Sequence, residues 1–144
     1  MDARVRDLTR NLRALSPGDP QRLAEAGREL RFAWPEDYAD FMAEQDGGEG
    51  FVGEAYVVLW AAAELVDLNR DFGLAEFAPD LIAFGSDGGG ECFAFDRRGT
   101  PPVIVMVPFV GLDQPIAQGT TLLEFFERLA MMSSTRTSSD ICER

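Results

Sequence analysis

The sequence predicts an α+β fold, a central and mostly antiparallel β-sheet flanked by α-helices, on three observations. Gly85-Ser86-Asp87-Gly88-Gly89-Gly90-Glu91-Cys92-Phe93-Ala94-Phe95-Asp96 is a glycine-dense turn feeding a strand, with Phe93 and Phe95 alternating with Cys92 and Ala94. Leu81-Ile82-Ala83-Phe84 precedes it, and Val103-Ile104-Val105-Met106-Val107 follows a second turn at Asp96-Arg97-Arg98-Gly99. These runs make a three-stranded antiparallel meander at the centre of the sheet. Helical periodicity appears before, between and after the strands, so the order is helices, strands, helix, strands, helix and not alternating βαβ.

Val5, Leu8, Leu12 and Leu15 recur at helical spacing and mark a first helix that Ser16-Pro17-Gly18 ends. Asp19 caps a second helix, with Pro20 at its first position, Leu23, Ala26 and Leu30 inward, and Arg22, Arg28 and Arg31 facing water. Trp34-Pro35-Glu36-Asp37-Tyr38 opens a third, whose early acids suit the positive end of the helix dipole. Tyr38, Phe41 and Met42 form its buried stripe. Gln45-Asp46-Gly47-Gly48 stops it, since glycine takes left-handed C-terminal geometry cheaply.

Residues 49–54 read as a loop or short strand, Ala55 to Trp60 as a strand, and Ala61 to Asn69 as a short helix with Leu65 and Leu68 inward. Asp71 to Asp80 reads as irregular, with Phe72, Leu74 and Phe77 packed as lids over the core. Pro108 to Gly119 reads as a long connection. Thr121-Leu122-Leu123-Glu124 has capping-box spacing and opens a last helix with Leu122, Phe125, Phe126 and Leu129 on its apolar face. The expectation is a single domain over residues 1–131, with the helices of residues 3–31 packed on it. Residues 132–144, polar and aperiodic, are expected to be a disordered tail.

The chain has 144 residues, 46% of them hydrophobic, enough for one continuous core. Its net charge of −12 is unevenly spread. Residues 1–35 hold seven arginines against five acids, whereas residues 36–96 hold one arginine, Arg70, against fifteen acids. That middle third repels nucleic acid and anionic membrane and would attract a cationic protein; plain solubility is the alternative explanation. Histidine and lysine are both absent, which removes histidine-based nucleophile systems, histidine metal sites, Schiff bases and the phosphate-loop lysine. Carboxylate-only catalysis and a hard-cation site are still compatible with this composition, but no catalytic residue, metal ligand or cofactor is assigned. No apolar run approaches the roughly 20 residues of a membrane span. The charged start is unlike a secretory signal, and Cys92 and Cys142 suggest no disulfide framework, so a cytoplasmic location is expected.

The candidate partner-binding residues are Glu36, Asp37, Asp46, Glu49, Glu54, Asp87 and Glu91. The helix dipole accounts for Glu36, Asp37 and Asp40, but not for Glu44, Asp46, Glu49 and Glu54 continuing past the helix end. Asp87 to Glu91 is either a glycine hairpin with solvated acids or an acidic rim accepting arginine and lysine from a partner. A phosphate cradle is disfavoured by the flanking acids, and a calcium loop by the missing Asp-x-Asp-x-Asp-Gly spacing. Pro35, Tyr38, Gly47, Gly48, Gly85, Gly88 and Gly90 are structural candidates. Tyr56, Trp60 and Trp34 belong to the core or, if exposed, anchor an interface.

The Pro35-Glu36-Asp37-Tyr38 helix start, the Asp46-Gly47-Gly48 helix end and the Phe84-to-Glu91 turn resemble the SUKH superfamily, which includes the fungal Smi/Knr cell-wall assembly regulators. Trp60 to Leu65 and Phe77 to Phe84 are similar to its middle region, and the resemblance covers roughly residues 20–130. Position 34 is tryptophan where the family often has a smaller aliphatic residue. The resemblance implies an α+β fold and, in bacteria, an immunity protein that binds and neutralises a toxin, often a nuclease. The expected partner is a cationic toxin domain, bound by a monomer or weak homodimer without chemistry of its own. A regulatory or scaffold protein of the Smi/Knr type is the alternative, and a carboxylate-dependent hydrolase a remote third.

Overall fold

A computed structural model describes residues 1–14 and 16–131. Six strands lie side by side in chain order in one antiparallel sheet: β1 (Gly48–Val52), β2 (Ala55–Leu59), β3 (Leu81–Ser86), β4 (Glu91–Asp96), β5 (Val103–Pro108) and β6 (Ile116–Gly119). The helices are α1 (Ala3–Leu8), α2 (Pro20–Leu30), α3 (Glu36–Glu44), α4 (Leu65–Asp71), α5 (Leu74–Phe77) and α6 over residues 122–131. A 3₁₀ turn, Ala62–Glu64, leads into α4. The architecture is the expected α+β one, with the β3-β4-β5 meander at the centre of the sheet.

One face of the sheet carries the phenylalanine core. Phe95 stacks on Phe84 with ring centroids 4.5 Å apart, and Phe125 of α6 meets Phe93 edge-on at 4.9 Å. Tyr38 of α3 lies 5.2 Å from Phe95. Each such fully buried side chain contributes roughly 1.5–3 kcal/mol, so the α3–β4–α6 contact is a substantial part of the core. Cys92 and Ala94 are also buried, on the opposite face by alternation. Burial, with the charge of Glu91 beside it, pushes the Cys92 thiol up to about 12.

The β2–β3 pairing is short: Val58 faces Ser86 and Leu59 faces Gly85, and then the strands part. Asn69 of α4 takes the vacated edge. Its amide donates to the Ala83 carbonyl at 2.9 Å and accepts the Ala83 N–H at 2.9 Å, while also donating to Leu65 at 2.8 Å. Trp60 N–H adds a bond to the Phe84 carbonyl at 3.0 Å. A side chain thus completes the ladder where no strand is available, as buried backbone groups require.

Several sequence expectations need correction. The first helix ends at Leu8; Leu12 reaches the core through a turn, and Leu15 lies outside the described residues. Residues 116–119, expected to be connection, form β6; Pro115, Gln118 and Gly119 masked its strand pattern. Leu74 is buried in a short helix, α5, but Phe77 is 67% exposed and no lid, and Phe72 is 40% exposed. The capping box is shifted: Thr121 Oγ1 accepts the Glu124 N–H, whereas Glu124 reaches back to the amide and hydroxyl of Thr120. Those bonds hold the Glu124 carboxyl below its ordinary range. The expected tail, residues 132–144 with Cys142, lies outside the described residues.

Candidate functional site

The β1–β2 hairpin presents Glu49, Phe51, Tyr56 and Val58 on one face, since Glu49 pairs with Val58 and Phe51 with Tyr56. Phe51 and Tyr56 are 53% and 36% exposed, and their rings meet edge-on at 5.2 Å. The Tyr56 hydroxyl donates to the Glu49 carboxylate, which raises the tyrosine pKa. The β3–β4 hairpin folds over this tyrosine: a Cβ on Gly88 would lie 2.8 Å from the ring, and its φ of +82° belongs to glycine.

Beyond the hairpin, the Gly90 carbonyl accepts the Phe109 N–H at 2.9 Å. Phe109 stacks on Phe72 at 4.2 Å, and Phe72 lies parallel to Trp60 at 6.1 Å. The glycine hairpin therefore stands between a tyrosine–phenylalanine pair and a three-ring stack. Beside it a cavity of about 600 Å³ is lined by Arg13, Asp46, Glu49, Val58, Trp60, Glu64 and Leu68 among others.

Asp46, Glu49 and Glu64 thus meet around one depression, and Asp87 and Glu91 bound the hairpin next to it. The other candidate acids lie apart. Asp37 bonds the Tyr38 and Leu122 amides, each at 2.7 Å, and so sits where α3 meets α6. Glu36 is exposed in the first turn of α3, and Glu54 is exposed in the β1–β2 turn, whose Gly53 approaches Ala130 of α6. Glu44 pairs with Arg6 at 2.9 Å and with the Met1 amino group at 3.6 Å. The acids running past α3 are therefore not one free surface.

Two of the convergent acids also shape the fold. Asp46 Oδ1 accepts the Ala62 N–H at 2.7 Å, and Asp87 Oδ1 accepts those of Gly89 and Glu91 at 2.8 and 3.2 Å. Pro35 occupies the N-cap position of α3 without a side-chain capping bond, and Gly47 (φ +73°) turns the chain into β1, two residues beyond the extended Gln45 that ends the helix. Gly48 begins β1, and Gly85 lies at the β3 irregularity. Gly90 has nothing within 4 Å of a would-be Cβ, so its place in the turn does not demand glycine. Tyr38 is buried with its hydroxyl unbonded; burial first, then the charge of Asp46, raises its pKa. Among the described residues no group of three or more Asp, Glu, Cys or His is placed to hold a metal, and no helix is long and apolar enough to cross a membrane.

Phe109 was missed in the sequence, whereas Phe72 was read as a lid and does stack on the buried Trp60 ring. The available signal for Phe109 was an aromatic side chain just past β5, at the start of the Pro108-to-Gly119 connection.

A six-stranded antiparallel meander packed by helices defines an α+β protein, with exposed Phe51, Tyr56 and Phe72 on either side of its glycine hairpin. Residues 17–128 match the SMI1 / KNR4 family (SUKH-1), and the chain belongs to that family, in line with the SUKH resemblance of its motifs. A comparison with curated proteins found no match.

Proposed function

We propose that this chain is a non-enzymatic binding module of the immunity type, neutralising a toxin by covering a cationic surface on it. The observation that carries the reading is that Glu49 and Glu64 share one depression with Trp60, on whose buried ring the exposed Phe72 stacks, followed by Phe109. Aromatic anchors ringed by charge are what an interface hot spot requires. Family membership supports a role in protein–protein contact. A nuclease must be basic where it grips its substrate, and a chain of net charge −12 is drawn to such a surface.

The partner to assay is the toxin domain encoded beside this gene. Glu49→Arg should weaken its binding by roughly 5–30-fold in calorimetry, since one lost charge contact is worth about 1–2 kcal/mol. The melting temperature should move little. Phe72→Ser should weaken binding without a charge change. Unchanged affinity in both variants would sink the reading.

A further inference from the structure

We propose that a second cleft, between the C-terminal end of α2 and the α4, α5 and β3 elements, binds a small amphipathic carboxylate. It shares no lining residue with the depression beside the glycine hairpin. Its volume of about 700 Å³ falls in the roughly 300–1,000 Å³ span of small-molecule sites. Leu74, Leu81 and Ile82, at 1%, 5% and 3% exposure, give it an apolar floor. Ile82 is buried without joining the continuous core.

The polar end of the cleft is built by two arginines. Arg97 Nη1 and Nη2 donate to the Arg31 and Leu30 carbonyls, each at 3.2 Å, and its guanidinium lies 5.9 Å from the centre of the Phe32 ring. Its Nε is buried without a hydrogen-bond partner. A desolvated cationic donor of this kind calls for an acceptor. Arg31 ends α2 in left-handed geometry at φ 56°, with the Phe32 N–H closing onto the Gly27 carbonyl at 2.9 Å. Glycine is the usual residue there because any Cβ is disfavoured, so an arginine bears strain that glycine would relieve.

Neither Arg31 nor Arg97 is ion-paired with a carboxylate among the described residues. Arg70 on the rim is paired with Asp67 at 2.6 Å, and Glu29 and Glu76 complete the lining charges. With Arg70 neutralised by Asp67, Arg31 and Arg97 face Glu29 and Glu76, a balance that disfavours a dianion such as a phosphate monoester, while the one unpartnered buried donor, Arg97 Nε, suits a single carboxylate. The ligand class is therefore a monocarboxylate whose alkyl or aryl body covers Leu74, Leu81 and Ile82.

The test titrates decanoate, below its micelle concentration, into the ¹⁵N-labelled full chain, with decanol as the uncharged control. Decanoate should give saturable amide shifts at Val66, Gly73, Leu81 and Ile82, and should bind roughly tenfold more tightly than decanol, one charge-assisted contact's worth. Arg31→Gly should remove that preference while the melting temperature holds or rises, which a merely structural arginine would not produce. Ala75→Trp, at an exposed lining position, should block both ligands. Equal binding of decanol, shifts centred on Tyr56 and Trp60, absence of saturation, or an Arg31→Gly variant with unchanged preference would each overturn the proposal.

Discussion

The carboxylate of Asp37 accepts the backbone amide of Leu122 at 2.7 Å, tying the first turn of α3 to the first turn of α6 across 85 residues of sequence. Its other oxygen holds the Tyr38 amide at 2.7 Å. The two helices that clamp the phenylalanine core therefore share one capping side chain. Asp37→Ala should destabilise the fold by about 1–2 kcal/mol, the usual cost of losing a cap. The urea midpoint measures this, and Asp37→Asn, which keeps one acceptor oxygen but turns an NH2 donor toward the other amide, should recover at most part of it. Affinity for the partner, measured on folded protein, should stay unchanged.

Asn69 stands in for a missing strand, so its replacement leaves buried backbone groups unpaired. Asn69→Leu keeps the volume but strands the Ala83 N–H and C=O. A loss of roughly 2–4 kcal/mol is expected, since each orphaned group costs about 1–3 kcal/mol. Native-state hydrogen exchange should show the Ala83 amide losing protection before that of Phe95.

Stability should fall with acid through two identified carboxyls. Asp96 is held below its ordinary pKa first by its hydrogen bond from Arg98, and Glu124 by its bonds from Thr120. A carboxyl depressed in the folded state stabilises above its unfolded pKa, about 4, and that stability disappears as pH falls through the folded value. Unfolding free energy should therefore decline below about pH 4. Asp96→Asn with Glu124→Gln should flatten the decline; an unaltered slope would count against these assignments.

Alkali acts with the opposite sign. Cys92, at about 12 when folded, and Tyr38, also raised, must both remain protonated in the core. A raised pKa contributes stability that is complete below the unfolded value, about 8.5 for a thiol, and is lost as pH climbs through the folded one. In a Cys142→Ser background, a thiol reagent should label Cys92 only as fast as the protein opens. Cys92→Ala should reduce the loss of stability between about pH 9 and pH 12.

The central meander was legible because Phe93 and Phe95 alternate with small residues and glycines mark the hairpin, both local signals. The α2, α3 and α6 stripes were legible for the same reason. β6 was not: it is a four-residue edge strand with an exposed Ile116 and a polar Gln118, and only its pairing with β5 makes it a strand. The acids were readable as a sum but not as a pattern. Asp37 and Asp46 are committed to amides 85 and 16 residues away, and Glu44 to Arg6, none of which local spacing encodes. The depression beside the hairpin keeps Glu49 and Glu64 because the β1–β2 register and the turn into α4 bring them together.

Arg13 exchanges both of its backbone hydrogen bonds with Glu49, at 2.9 and 3.1 Å, from a position ahead of the span shared with the family. That single bridge caps the outer margin of the sheet. A version trimmed to begin at residue 17 would retain every shared element yet leave β1 bare along one side, open to a strand from a neighbouring molecule. Such a trimmed protein should run as a concentration-dependent oligomer in size-exclusion chromatography, where the full chain does not. On this prediction the residues ahead of the shared span guard β1 against self-association.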